Sequence, residues 1–505
     1  MNHARAPRTA AFAALATACT ATVPEGAVDA ASDGQREAAA DVAVDTAEAP
    51  PARRFLVDSQ GRALILHGAN VGSKDPPDHV PAITQDEVRR MAQEWGFNFV
   101  RYLIFWDAIE PTAGAINGAY LDAVASRLDE FAAQGIYVML DMHQDVYARR
   151  FCCDGAPEWA IRDDGQAFML QPTWSFNYFQ PAVQRAFDNF WSYAEPNRDL
   201  QEHYIAAWVA VATRFRTHPA VIGYDFMNEP SPGSMFVASE ALIGVGAGAG
   251  SLSARFDQTR LGPFYQRLID AVRAVDRDRY LFIEPRFGGA GAGAVQYLPT
   301  LVDRRAGEGR VVFAPHLYSV PYEARMMYDT ASDRTVARWE AARVEETRSH
   351  DWPIVMGEFG MDQTFPGAAR YLDDVLDMAD RMMIPWAYWA WSPGTWGFWD
   401  PATRTERPNI NQLVRVYPQR VAGTPTSWSW DRAARVFTLT FASSPGATGA
   451  TELFVPTARF YSDGYALTVS DPPDTWSQSW DATRQVLSVT TRASTTAHTI
   501  TLRPR

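Results

Sequence analysis

Val221-Ile222-Gly223-Tyr224-Asp225-Phe226-Met227-Asn228-Glu229-Pro230 is an apolar run that stops at a carboxylate. Its length suits one strand, and a continuous apolar run suits a strand covered on both faces. Pro353-Ile354-Val355-Met356-Gly357-Glu358-Phe359-Gly360 repeats the pattern further along the chain. Each glutamate stands where a buried strand should give way to a loop. Two carboxylates facing each other across a cleft are the minimal equipment for cleaving a glycosidic bond. One protonates the leaving oxygen and the other attacks the anomeric carbon.

Working outward, six more segments have the same texture: Ala63–Asn70, Phe97–Ile104, Tyr137–Gln144, Arg279–Pro285, Val311–Ser319 and Ile384–Ser392. Helical patterns lie between them. Thr84 and Glu87 form a capping box before Val88–Trp95. Tyr120–Gln134, Phe256–Val275, Thr335–His350 and Ala368–Met383 carry apolar residues at helical spacing. Eight strands alternating with helices predict an α/β fold, a (β/α)₈ TIM barrel, whose chemistry belongs at the C-terminal ends of the strands. Polar residues gather at those ends: Asn70, Arg101, His143, Asp145, Asn228, Glu229, Glu284, His316, Tyr318, Glu358 and Trp389.

The expected division is an export signal over residues 1–18, an Ala-rich acidic linker over 19–52, the barrel over 53–412 and a small antiparallel β-sandwich over 413–505. Arg5 and Arg8 precede a short apolar stretch ending in Ala16-Thr17-Ala18, as in a secretory signal. Secretion is therefore expected, and Cys19, directly after, offers a site for lipid anchoring. Residues 19–52 hold seven acids and one Arg and should be a disordered linker. The remaining cysteines, Cys152 and Cys153, are adjacent and are expected as two unpaired thiols. The formal net charge is −13 without a basic stripe, which argues against nucleic acid. No His, Asp and Glu spacing in the chain suggests a metal, and glycosidic cleavage by two carboxylates needs no cofactor. A monomer is expected. After Tyr417 short alternating segments replace helical periodicity. Ser429-Trp430-Asp431 and Ser479-Trp480-Asp481 precede similar strands at the same offset, an internal echo. This domain is expected to buttress the barrel.

In a retaining mechanism the acid needs a raised pKa and the nucleophile must stay ionised. Glu229 is the expected acid/base, with Asn228 beside it to bind a sugar 2-hydroxyl. Glu358 is the expected nucleophile, with Gly357 and Gly360 leaving room for substrate. Arg101 should hold Glu358 ionised, Tyr318 should donate to Glu358, and His316 should orient Glu229. Glu284 also ends a strand and is expected to be structural. Lys74 is the only lysine in a chain whose other cations among 46 Lys and Arg are all Arg. Its place after the first strand suggests that a compact ammonium is required there.

Asn-Glu-Pro after the fourth strand, Gly-Glu-Phe-Gly after the seventh, Arg101, His143, His316-Leu317-Tyr318 and a Trp after the eighth resemble glycoside hydrolase family 5 over about residues 54–405. Asp141-Met142-His143-Gln144-Asp145, Asn70-Val71-Gly72-Ser73-Lys74 and the trailing sandwich resemble its endoglycoceramidase branch. The resemblance implies release of intact oligosaccharide from the ceramide of glycosphingolipids, with transient contact at a membrane or micelle surface. It implies sugar-binding roles for Lys74, His143, Asp145, Trp174, Asn228 and Trp389, with Trp391 the rival of Trp389. A glucosylceramidase, an endogalactosylceramidase, an endo-β-1,4-glucanase or mannanase, and a non-catalytic binding protein on the same scaffold remain as alternatives. Apolar Met235-Phe236-Val237 and Leu242-Ile243-Gly244-Val245, beside Glu229, are expected to face a ceramide tail.

Overall fold

The computed structural model describes residues 55–505 except 76–78, 237–247, 290, 392–393 and 493–495. The expected export signal, linker and Cys19, and most of the apolar segment after Glu229, lie outside the described residues. Eight parallel strands form the predicted barrel: β1 (His67–Val71), β2 (Phe99–Ile104), β3 (Tyr137–Met142), β4 (Val221–Asp225), β5 (Tyr280–Ile283), β6 (Val311–Phe313), β7 (Met356–Phe359) and β8 (Trp386–Tyr388). They pair in sequence, and β1 pairs with β8. Between β6 and β7 the closure is short, a parallel bridge at Phe313 and Ile354. Continuing bonds run from Val355 N to Phe313 O and from Leu317 N to Glu358 O. Helices cover the outside. The first, α1 (Gln85–Gln93), starts with the predicted capping box of Thr84 and Glu87.

The predicted helix over Phe256–Val275 is divided. A short α-helix, Leu252–Phe256, leads through a π-helical turn, Asp257–Leu261, into a longer helix, Gly262–Arg273. The expected first barrel strand is divided as well. Ala63–Leu64 leaves the barrel and pairs with β9 (Tyr417–Val421), while Leu56–Val57 pairs with Ala63–Leu64. This N-terminal hairpin plugs the bottom of the barrel. Leu56, Leu64 and Leu66 join Phe99, Met139, Ile222, Phe282 and Val312 in one buried cluster. The Val57 amide donates to the Tyr280 hydroxyl at 2.8 Å. Apolar side chains fill the barrel below, so polar groups are confined to its upper end.

The C-terminal part has two antiparallel sheets. One contains β10 (Thr424–Asp431), β11 (Val436–Ala442), β13 (Tyr465–Val469) and β16 (Ala497–Pro504), in the order β10-β11-β16-β13. In the other, β9, β12 (Thr451–Phe454), β15 (Val486–Thr491) and β14 (Trp476–Asp481) continue from the N-terminal hairpin. The sequence echo marks two matching hairpins, β10-β11 and β14-β15, in opposite sheets. Asp431 Oδ1 accepts from Ala434 N at 2.8 Å, and Asp481 Oδ1 accepts from Thr483 N and Arg484 N at 3.0 Å. Tyr417 Oη reaches back to the Gly96 carbonyl at 2.6 Å, tying this region to the barrel.

Candidate active site

Arg101, at the middle of β2, is wholly buried under the barrel mouth. Its guanidinium reaches four carboxylates on four other strands or strand ends. Nη1 lies 2.5 Å from Glu358, Nη2 lies 2.7 Å from Glu284 and 2.9 Å from Asp141, and Nε lies 2.9 Å from Asp225. It also donates to the Asn70 and Asn228 side-chain oxygens at 3.0 and 2.9 Å. Removing one partner of such a buried set leaves uncompensated charge and costs about 3–5 kcal/mol. Asn70 Nδ2 in turn donates to the Gly357 carbonyl at 3.1 Å, fixing the strand that carries Glu358.

Glu229 and Glu358 meet over this base. His316, after β6, places Nδ1 3.0 Å from Glu229 Oε1 and 3.6 Å from Glu358 Oε2. These two contacts cap the separation of the two oxygens at the lower edge of the inverting range, about 6.5–9.5 Å, and admit the retaining separation of about 5–5.5 Å. Tyr318 Oη donates to Glu358 Oε2 at 2.8 Å. Glu284 supports both sides: one oxygen contacts Arg101 and the other accepts from the Glu229 backbone N–H at 2.8 Å. Glu229 has a φ of +41°, a conformation uncommon outside glycine. Gln144 Nε2 holds that turn by donating to the Asn228 and Glu229 carbonyls at 2.8 and 3.1 Å. The Asn228 amide donates one hydrogen to the Gln144 carbonyl at 2.9 Å, and a primary amide carries a second for a ligand.

The proton affinities diverge. Burial raises the Glu229 carboxyl, the His316 interaction opposes this, and the negative Glu358 and Asp145 add to the rise, so the net shift is upward. Burial would also raise Glu358, but His316, Arg101, His143 and the Tyr318 hydroxyl outweigh it and hold this carboxyl below its usual range. Burial disfavours charge on His316, yet Glu284 and Glu358 keep it protonated well above the ordinary imidazole range. One carboxyl disposed to hold a proton and one disposed to lose it is the acid and nucleophile arrangement of glycoside hydrolysis.

The glycines beside Glu358 serve a different purpose from the one expected. A Cβ on Gly357 would lie 3.0 Å from His316 Nε2, and one on Gly360 would lie 2.5 Å from the Trp389 carbonyl. They make room for the protein's own groups rather than for substrate.

A second cluster flanks the pair. Lys74 Nζ bonds Asp145 and lies 3.6 Å from Asp154 and 5.0 Å from the centre of the Trp389 ring. His143 Nδ1 is 2.7 Å from Asp141, Nε2 is 3.7 Å from Asp145, and its ring stacks on Trp389 at 5.6 Å. Burial and Lys74 work against charge on His143, but Asp141 and Asp145 raise its pKa to about 9. Trp391 lies in the core at 7% exposure, so Trp389 is the tryptophan that faces the cluster. Trp174 is 41% exposed on a separate turn, with its ring 6.3 Å from that of buried Tyr178.

Two further expectations need correction. Cys152 and Cys153 form a disulfide rather than two thiols. The fold also gathers two acid-containing groups with metal-like spacing, His143-Asp145-Asp154 and Asp141-Asp225-Glu284, which no sequence spacing indicated. Each already surrounds a cation of the protein, Lys74 or Arg101. Sequence reasoning also missed Asp141, Asp225, Gln144 and Asp154 as parts of the site. The first three lie within or beside the quoted strand-end runs, where a buried polar residue was a signal. Asp154, on a loop, gave none.

A (β/α)₈ barrel with an acid and a nucleophilic carboxylate at its C-terminal mouth defines a glycoside hydrolase. The cellulase model of glycosyl hydrolase family 5 matches residues 57–395, and the family 5 C-terminal domain matches 415–502. The chain belongs to glycoside hydrolase family 5. It is 31% identical over 428 residues to endoglycoceramidase I of Rhodococcus hoagii, covering 82% of this chain and 80% of that one. Endoglycoceramidase of Cyanea nozakii is 27% identical over 476 residues, covering 85% and 88%. Endo-glycoceramidase II from Rhodococcus sp., solved as a ganglioside GM3 complex, superposes with a TM-score of 0.80 at 36% identity, covering 90% of this chain and all of that one.

Proposed function

We propose that this protein is a retaining endo-β-glycosidase that cleaves between the oligosaccharide and ceramide of glycosphingolipids, releasing intact glycan. Glu358 attacks the anomeric carbon while Glu229 protonates the leaving ceramide oxygen. Water activated by Glu229 then releases the glycan. Lys74, His143, Asp145, Asn228, Trp174 and Trp389 bind the sugars. Arg101, His316 and Tyr318 set the charge of the pair.

The observation that carries the lipid aglycone is the placement of exposed apolar side chains. Among the described residues, Ile116, Met169, Leu170, Trp174, Leu252, Met326 and Met327 are seven of the ten exposed large hydrophobics. All seven lie on connections that follow barrel strands, on the side of Glu229 and Glu358. Apolar surface gathered around one cleft favours contact with a lipid layer. The protein accordingly acts as a monomer that docks transiently on a membrane or micelle. Residues 1–18 direct its export, with Cys19 available for anchoring, and a disulfide at Cys152–Cys153 suits an oxidising compartment.

Incubation with a ganglioside and, separately, with a cellulose oligomer tests this by product mass. Free ceramide with intact glycan is expected. Shortened cello-oligomers with an untouched ganglioside would overturn it. Met169→Ser with Leu170→Ser should slow cleavage of vesicle-embedded glycolipid and spare a soluble aryl lactoside.

A further inference from the structure

The Cys152–Cys153 disulfide joins adjacent residues and so closes a small ring that restricts the backbone between them. Cys152 is exposed, with φ of +112°. Just before the ring, Arg149 Nη2 donates to the Lys74 carbonyl at 2.5 Å. Just after it, Asp154 exchanges backbone hydrogen bonds with Asp145, at 3.3 and 3.2 Å. On its other side lies buried Asn177. Its Nδ2 donates to Cys152 Sγ at 3.5 Å and to the Trp174 carbonyl at 2.9 Å.

Asp154 occupies a demanding place. Its side chain is 1% exposed, and Lys74 Nζ stands 3.6 Å away. Neither carboxylate oxygen has a hydrogen-bond partner among the described residues. A buried carboxylate with so little support gains by moving toward water, so its backbone has to be held from elsewhere.

We propose that the Cys152–Cys153 disulfide and Asp154 form one positioning device for the sugar-binding cluster. The ring fixes Asp154. Asp154 and Asp145 together fix the Lys74 ammonium. Asn177 ties the same ring to the turn that carries Trp174. Lys74 and Trp174 therefore take their positions from one covalent bond, and affinity for the glycan depends on that bond being closed. This rests on the reading of the site as a glycosphingolipid hydrolase and names what sets its grip on sugar.

The test follows a soluble aryl β-lactoside with oxidised enzyme, with enzyme reduced by dithiothreitol, and after reoxidation. Dithiothreitol accepts the disulfide exchange by closing into its own cyclic disulfide, leaving two thiols on the protein. Reduction should raise KM about fivefold or more while kcat stays within about twofold, the signature of lost binding rather than lost chemistry. Reoxidation should restore KM. Cys152→Ser/Cys153→Ser should match the reduced enzyme and ignore reductant, and Asp154→Asn should raise KM in the same direction. An unchanged KM after reduction and in the double variant overturns the proposal. So does a parallel fall in kcat and melting temperature, which would mark general loosening. Absence of lactoside hydrolysis by the oxidised enzyme is a separate result: it removes the hydrolase reading and the inference with it.

Discussion

Arg101 Nη2 and Glu284 Oε1 lie 2.7 Å apart at the base of the barrel mouth, and the other Glu284 oxygen takes the backbone N–H of Glu229. Glu284 thus joins the cation beneath Glu358 to the turn that presents Glu229. The carboxyl stays ionised: burial raises it, but His316, Arg101 and the Glu229 amide together hold it below its usual range. Glu284→Gln should lower kcat about tenfold or more, a loss of roughly 1.4 kcal/mol. A crystal structure of the variant with unchanged kcat would show that the link is dispensable.

Glu358→Gln should lower kcat roughly a thousandfold or more, about 4 kcal/mol of transition-state stabilisation. It should also move Glu229. After burial, the charges of Glu358 and Asp145 raise the Glu229 carboxyl, so removing one of them lets it titrate at lower pH. Carbon NMR of labelled glutamate, compared between wild type and variant, reads the shift directly. A Glu229 titration at higher pH in the variant would contradict the assignment.

Lys74→Arg keeps the charge and changes its shape. An ammonium fits between Asp145 and Asp154 below the Trp389 ring, whereas a planar guanidinium is wider. Glycolipid kcat/KM should fall roughly tenfold, about 1.4 kcal/mol, with little change in melting temperature. Wild-type kinetics in this variant would remove the requirement for lysine.

His143 predicts a pH dependence of stability. Its pKa rises from 6.5 unfolded to about 9 folded. A raised folded pKa contributes stability that is complete below the unfolded value and lost as pH climbs through the folded one. Between pH 6.5 and about 9, wild type should therefore lose on the order of 3 kcal/mol that His143→Gln does not lose. Urea unfolding of both proteins at the two ends of this window gives the comparison.

Gly357→Ala would place a methyl 3.0 Å from His316 Nε2. The imidazolium should be displaced from Glu229 and Glu358, with kcat reduced by about tenfold or more. An unaltered pH profile and kcat would show that His316 can yield without consequence.

Much of the site was legible because it lies at strand ends. A barrel core excludes unpaired charge, so a Glu ending an apolar run is conspicuous even in a single sequence. Glu229, Glu358, His316 and Tyr318 stood out in this way, Arg101 stood out as a charge inside one of the runs, and the structure brings them together. Asp141 and Asp225 sit inside the same apolar runs, but their pairing with Arg101 depends on which strands become neighbours. The departure of Ala63–Leu64 to the C-terminal sheet was hidden too, because an apolar pair suits either sheet.

The sequence by itself determined the barrel, the sandwich and the two glutamates, since hydrophobic periodicity and strand-end polarity are local properties of the chain. Only the tertiary structure decided which carboxyl holds its proton, that one arginine serves four acids, and that Asp154 reaches Lys74. Those are effects of distance and burial between residues far apart in sequence, and they take a value only when the strands close into a ring.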